Sequence, residues 1–253
     1  MIRQVPYCGA APLPSELLTR FNLDPILILA LCALCTCQLL VLRNRRGERA
    51  HQYRLCAISG WLVASAALLS PLCALSVALF SARVGQHMVL ILLAAPLIAI
   101  GLPRTELAGR SWPLWASTAI FFLTLWFWHM PIPYDATFTS VSLYWTMHIT
   151  LFGSGILLWR KLLYHSPRQT AQVLAAGTLT FVQMGLLGVV LTFAQRPLFQ
   201  WHLLTTAAWG LTPLQDQQLG GTLMWVPGIV LFLWTAIRSI DRMWKSMERE
   251  RPA

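Results

Sequence analysis

Three histidine–methionine dipeptides stand out from a strongly apolar chain: His87-Met88, His129-Met130 and Met147-His148. Imidazole nitrogen and thioether sulfur suit Cu(I), whereas magnesium and calcium ask for oxygen ligands. Neighbours on a helix point about 100° apart, so each dipeptide offers one inward ligand while the second residue packs. Met224 adds a thioether near the start of the last apolar run. Two imidazoles on different helices at compatible depth, such as His87 and His148, would also serve as axial ligands of haem, with Arg83 and Arg196 facing its propionates. Ordinary structural roles compete with these readings. His129 and His202 fit helix ends at an interface, Asp216 fits a helix N-cap, and Gln217 and Gln218 fit interhelical hydrogen bonds. For His87 and His148 the balance lies with function, because both sit at or below the expected membrane interface, where ionisable groups are costly.

The elements that must position these residues are membrane helices. Of 253 residues, 57% are hydrophobic and 11% charged, and the mean hydropathy is +0.60. A soluble domain carries about a quarter charged residues. Seven apolar runs, near 25–42, 55–72, 86–102, 113–130, 141–159, 171–193 and 218–237, are long enough to cross a bilayer as helices. The fold expected is all-α: a polytopic seven-helix bundle, open toward the outer face. It divides into an outer tail (1–24), the spans (25–237) and a basic cytoplasmic tail (238–253). The first span is expected to direct insertion, since residues 1–24 contain no apolar signal core.

Fifteen of the nineteen Lys and Arg fall in alternate connections, among them Arg43, Arg45, Arg46, Arg49, Arg54, Arg104, Arg110, Arg160, Lys161 and Arg168. The other four are Arg3, Arg20, Arg83 and Arg196. This asymmetry places the N-terminus outside and the C-terminus in the cytoplasm. The net charge of +10 is thus spent on topology and anionic lipid, with no nucleic acid implied. Six cysteines make no disulfide framework. Cys32, Cys35, Cys37 and Cys56 lie within or beside apolar runs, and only Cys8 and Cys73 are placed near an oxidising face. Cys32 and Cys35, one turn apart, read as small packing residues before they read as Cu(I) ligands. The stretch after Pro71 up to Ala82 is apolar enough to lie at the interface. Pro96 should free a backbone carbonyl in the third span, and Gly177, Gly185, Gly188, Gly220 and Gly221 should let helices approach closely.

Asp216-Gln217-Gln218-Leu219-Gly220-Gly221, followed by Met224-Trp225-Val226-Pro227-Gly228, resembles the closing motif of the CtaG family of caa-type cytochrome c oxidase assembly factors. Ser70-Pro71-Leu72, Gln86-His87-Met88 with Ala95-Pro96 and Gly101-Leu102-Pro103, and Trp128-His129-Met130-Pro131 with Tyr134 agree with the family in order. The resemblance spans roughly Trp61 to Pro227. In two places the chain departs from it. The family pattern often has a further histidine four residues before His87, where Arg83 stands here. It often has His-x-x-Glu-His ending at His148, where Tyr144 and Met147 stand here.

The resemblance implies a membrane assembly factor for a respiratory haem–copper oxidase in a bacterial cytoplasmic membrane, with oxidase subunits and the lipid bilayer as partners. It implies that copper is held or delivered at the outer face, with His87 and His148 as core ligands and His129 and Met88 as auxiliaries. Asp216 and Gln217 would orient a ligand or hold the seventh span. No turnover chemistry, and hence no enzyme, is implied. The alternatives from other classes are a copper transport protein, which needs ligands at successive depths, and a haem-binding electron carrier.

Overall fold

The computed structural model describes residues 6–45, 47–102 and 113–249. Arg3, Arg46, Pro103, Arg104 and Arg110, used above, lie outside the described residues. Among those described, every regular element is helical. In chain order they are α1 (Pro25–Arg43), α2 (Glu48–Leu69), α3 (Leu72–Ala78) and α4 (Phe80–Met88). A π-helical segment (Val89–Ala94) leads into α5 (Ala95–Gly101). Then come α6 (Leu114–Trp128), α7 (Pro131–Ala136), α8 (Val141–Leu163), α9 (Thr170–Thr192) and α10 (Pro213–Arg249).

Five stretches are long and apolar enough to cross a membrane: α1, Phe80–Gly101, α8, Pro167–Thr192 and α10. α2 and α3 add a sixth, bent by 46° at the Ser70-Pro71 break. Ser70 is extended there, because the proline ring disfavours helical backbone in the residue before it. α6 is apolar but has only 15 residues. The described helices therefore match the seven predicted runs in order, while five of them meet the length of a span unaided.

Boundaries differ where polar residues prove to be inside. The third span begins at Phe80, not Gln86, so Arg83 lies within α4 and is buried instead of occupying an outer loop. The segment after Pro71 is packed inside the protein, with Cys73, Ala74, Ser76, Val77 and Ala78 buried. α10 starts at Pro213 and runs unbroken to Arg249, so residues 238–249 continue the last helix.

Phe80–Gly101 is the central stretch of the bundle. Its π-helical register has a specific backbone consequence. The Ala95 N–H reaches back five residues to the Leu90 carbonyl. The next acceptor in that register, Ile91 O, faces Pro96, which has no N–H. The Trp159 indole of α8 supplies the missing donor at 2.7 Å. The carbonyl that Pro96 was expected to free is thus used to lock the third span to the fifth.

α9 and α10 meet through Gly188 and Gly221. A Cβ at Gly221 would stand 2.7 Å from the Gly188 carbonyl oxygen and 2.8 Å from Thr192 N, both rigid backbone atoms. Gly185, by contrast, has nothing within 4 Å of a Cβ position. Gly221→Ala should therefore destabilise the protein by about 1–3 kcal/mol through overpacking. Gly185→Ala should be neutral or stabilising by up to about 1 kcal/mol, since alanine is the better helix former. Thermal unfolding in detergent measures both, and equal melting temperatures for the two variants would contradict the close-contact assignment.

A candidate histidine site beneath the N-terminal segment

One end of the bundle is closed by three layers of connecting chain. The N-terminal segment is fastened by a disulfide between Cys8 and Cys73, by the Asn22 N–H donating to Leu69 O (2.9 Å), and by the Tyr7 hydroxyl bonding Asp24. α7 and the loop between α9 and α10 lie beside it. There Asp135 accepts from the Gln200 and Trp201 N–H groups at 3.0 and 3.4 Å. The Trp201 indole and the Thr205 hydroxyl donate to Val77 O and Ala78 O at 3.0 and 2.6 Å. The bundle is therefore not open at this end, contrary to the sequence expectation: connecting chain fills the mouth.

Beneath this cover the chain gathers His87, His129 and His148, each less than 5% exposed. His87 is the hub, with ring centroids 5.6 Å from His129 and 5.3 Å from His148, both edge-to-face. The tautomers of the two outer rings follow from their partners. His129 Nδ1 lies 2.7 Å from Leu125 O, and His148 Nδ1 lies 2.9 Å from Tyr144 O. A carbonyl only accepts, so each Nδ1 carries the proton and each Nε2 keeps its lone pair. Neither Nε2 has a hydrogen-bond partner, and neither nitrogen of His87 has one. Four buried imidazole nitrogens left unpaired are costly in a packed interior. Histidines whose Nδ1–H is fixed by a backbone carbonyl, with Nε2 free, have the usual form of a metal ligand. The rings are not a finished cage, however. Among the described residues no group of three His, Cys, Asp or Glu side chains is placed to hold a metal ion. The donors fit a soft cation in type, with His87 in contact with both neighbours.

The other candidates fall into place around this cluster. Met88 and Met224 are buried in the core. Arg83, one turn before His87, has its guanidinium 3.9 Å from the Phe138 ring centroid, 5.5 Å from Tyr134 and 5.6 Å from Tyr144. Its Nη1 donates to Thr137 Oγ1 at 2.6 Å. Tyr144 also packs against His148 with the rings tilted, at 4.2 Å between centroids, and its hydroxyl lies 3.4 Å from Cys8 Sγ. The Tyr144 position thus joins the histidines to the disulfide.

Asp216 does not cap its own helix. Its carboxylate accepts the Phe80 and Ser81 N–H groups at 2.6 and 3.1 Å and the Ser81 hydroxyl at 2.5 Å. It is the cap of α4, supplied from α10. Gln217 spans the same corner: its Nε2 donates to Leu191 O (3.2 Å) and its Oε1 accepts from Leu198 N–H (2.7 Å). Cys32 and Cys37 are exposed on the surface of α1, away from the cluster.

The fold and site together define a polytopic helical membrane protein with a lidded histidine cluster at one end. The chain belongs to the family described as cytochrome c oxidase caa3 assembly factor (Caa3_CtaG), which matches residues 36–246. No curated protein and no solved structure gives a significant match.

The arrangement missed from sequence is the lid, and His202 is its pin. Tyr134 hydroxyl and His202 Nε2 are 2.8 Å apart, and Nδ1 lies 3.3 Å from Ala78 O. Burial, and then the charge of Arg83, push the His202 pKa from 6.5 down to about 3, while the Ala78 carbonyl acts the other way. The unfolded chain binds a proton below pH 6.5 that the folded chain takes up only near pH 3. This stabilisation is complete above pH 6.5 and is lost as pH falls toward 3. In detergent, stability should therefore fall with decreasing pH below 6.5, with up to about 1.4 kcal/mol per pH unit from this one group. His202→Gln should remove that share of the slope. An unchanged slope in the variant would contradict the assignment.

Proposed function

We propose that this chain is a seven-span assembly factor of a bacterial cytoplasmic membrane that holds Cu(I) at its outer side for a nascent caa3-type oxidase subunit. Membership of the assembly-factor family supports the oxidase role. The observation that carries the copper role is the set of unpartnered imidazole nitrogens on His87, His129 and His148. In this reading α2 with α3 forms the second span and α6 the fourth, with the N-terminus outside. The Cys8–Cys73 disulfide supports that orientation, since such bonds persist on the oxidising face. Arg43, Arg45, Arg160, Lys161 and Arg168 sit at the opposite end, facing the cytoplasm.

Copper is cargo here, and the protein's part is binding and orientation without turnover. His87 and His148 supply nitrogen ligands, His129 a third, and Met88 a soft sulfur from the neighbouring position on α4. Asp216 and Gln217 hold α10 against the helix that carries His87. The transport alternative lacks a ladder of ligands, because Cys32 and Cys37 face outward from α1. The reading as copper in place of haem is supported by the close edge-to-face contact of His87 with His148, 5.3 Å between ring centroids, which suits a small ion better than a macrocycle.

Two outcomes follow. Purified protein should take up Cu(I) in competition with a chromophoric chelator, and His87→Ala should lose most of that uptake while keeping the wild-type far-ultraviolet circular dichroism. Equal uptake by the variant would remove His87 from the site. Deleting the gene should leave the caa3-type oxidase unassembled, with activity restored by the wild-type copy. Unaltered oxidase activity in the deletion strain would overturn the assembly role.

A further inference from the structure

α10 carries an apolar seam that no part of the chain covers. Residues 219, 223, 226, 230, 233, 237, 240, 244 and 247 are all apolar and follow one another at alternating steps of four and three. This is the 3.5-residue period of a coiled coil. Apart from the half-buried Leu223, these residues are 44–68% exposed. The face that packs on the rest of the protein lies opposite, through Met224, Gly228, Phe232, Thr235 and Ser239.

Within the bilayer an apolar face needs no partner but lipid. The seam, however, outlasts the bilayer. α10 has 37 residues, a length of about 55 Å, against a hydrocarbon core of about 30 Å. Beyond Ile237 the helix continues for roughly 18 Å. There Ile240, Trp244 and Met247 stay exposed in unbroken register, while Arg238, Asp241, Arg242, Lys245, Glu248 and Arg249 occupy the other positions. An exposed apolar stripe beyond the lipid marks a contact surface, and its period fixes the shape of the partner as a helix.

We infer that this seam binds the α10 of a second copy of the chain, forming a parallel two-helix contact. Copies inserted in the same orientation can meet only in parallel along this helix. A seam with apolar residues at every position matches itself about a two-fold axis, and no polar residue within it specifies another partner or register. The core positions follow the two-stranded rule in the middle of the seam. Val230 and Ile237 stand at a, between Leu223 and Trp244, and Leu219 and Leu233 stand at d, with Val226, Ile240 and Met247. The charges agree. Every described cation of the extension lies away from the seam, at b or f, and only Asp241 and Glu248 flank it. Asp241 is already paired with Lys245 on its own helix at 2.8 Å. Two copies of this strongly cationic chain therefore meet without facing cations.

Short bismaleimide crosslinking in native membranes tests this, using a version with the free cysteines replaced by serine. Single cysteines at Ile237, Ile240 and Trp244 should give a band of twice the chain mass, and Lys245→Cys at the same depth should give at most a tenth of that yield. Ile240→Glu with Trp244→Glu should convert the purified protein to monomer, by light scattering of the detergent complex, with its melting temperature unchanged. Crosslinking without heptad periodicity, a monomeric wild type, or a seam band consisting of the chain joined to a different protein would each overturn the inference. None of these readouts depends on copper or on oxidase activity.

Discussion

The histidine cluster depends on one carboxylate. Asp216 reaches from α10 to the first backbone N–H groups of α4, where a helix start inside a protein would otherwise leave donors unpaired. The bond fixes the rotation and depth of α4, and with them Arg83 and His87, one and two turns further on. Gly220 permits it, because a Cβ there would stand 2.5 Å from the Phe80 ring. Midway along the same span the Trp159 indole holds the carbonyl that Pro96 leaves open. The central helix is thus secured at its start by an acid and at its middle by an indole, each borrowed from another helix. The π-helical segment, which contains the bonded Ile91 carbonyl, rotates the second half of the span relative to the first.

The cluster combines features that pull in different directions. Burial and unpaired imidazole nitrogens cost stability. They persist because the surrounding contacts are numerous: the Asp216 cap, the aromatic rings around Arg83, and the lid pinned by His202 and the disulfide. The cost of the buried cluster is met by its frame. The frame also separates roles that the sequence mixes: His129 and His148 have one nitrogen committed to backbone, His87 has none, and His202 has both engaged in the lid.

Much of this was legible in the residues. The apolar runs gave the helices in order, and the His–Met dipeptides pointed to His87, His129 and His148, which the fold brings together. Cys8 and Cys73 stood out as the two cysteines expected near an oxidising face, and they are the two that form the disulfide. What was not legible follows from tertiary override of local pattern. Arg83 reads as a loop residue because a lone guanidinium seldom enters a span; three aromatic rings and Thr137, from α4's neighbours in space, make its burial possible. Asp216 stands in the first turn of α10 and reads as that helix's own cap, and only the approach of α4 reveals its partner. The segment 193–212 has no helical period, so its folding back over α3 and α7 leaves no trace in the pattern.

The guanidinium of Arg83 has a consequence for what can reside beside it. Among the described residues it forms no ion pair, so its full positive charge acts within the low-dielectric interior, one helical turn from His87. Coulomb repulsion scales with the product of the charges. A divalent ion entering the cluster meets twice the repulsion that a monovalent ion meets at the same position. Were the cation proposed above held there, this side chain would discriminate between ions by oxidation state where ligand geometry alone would not.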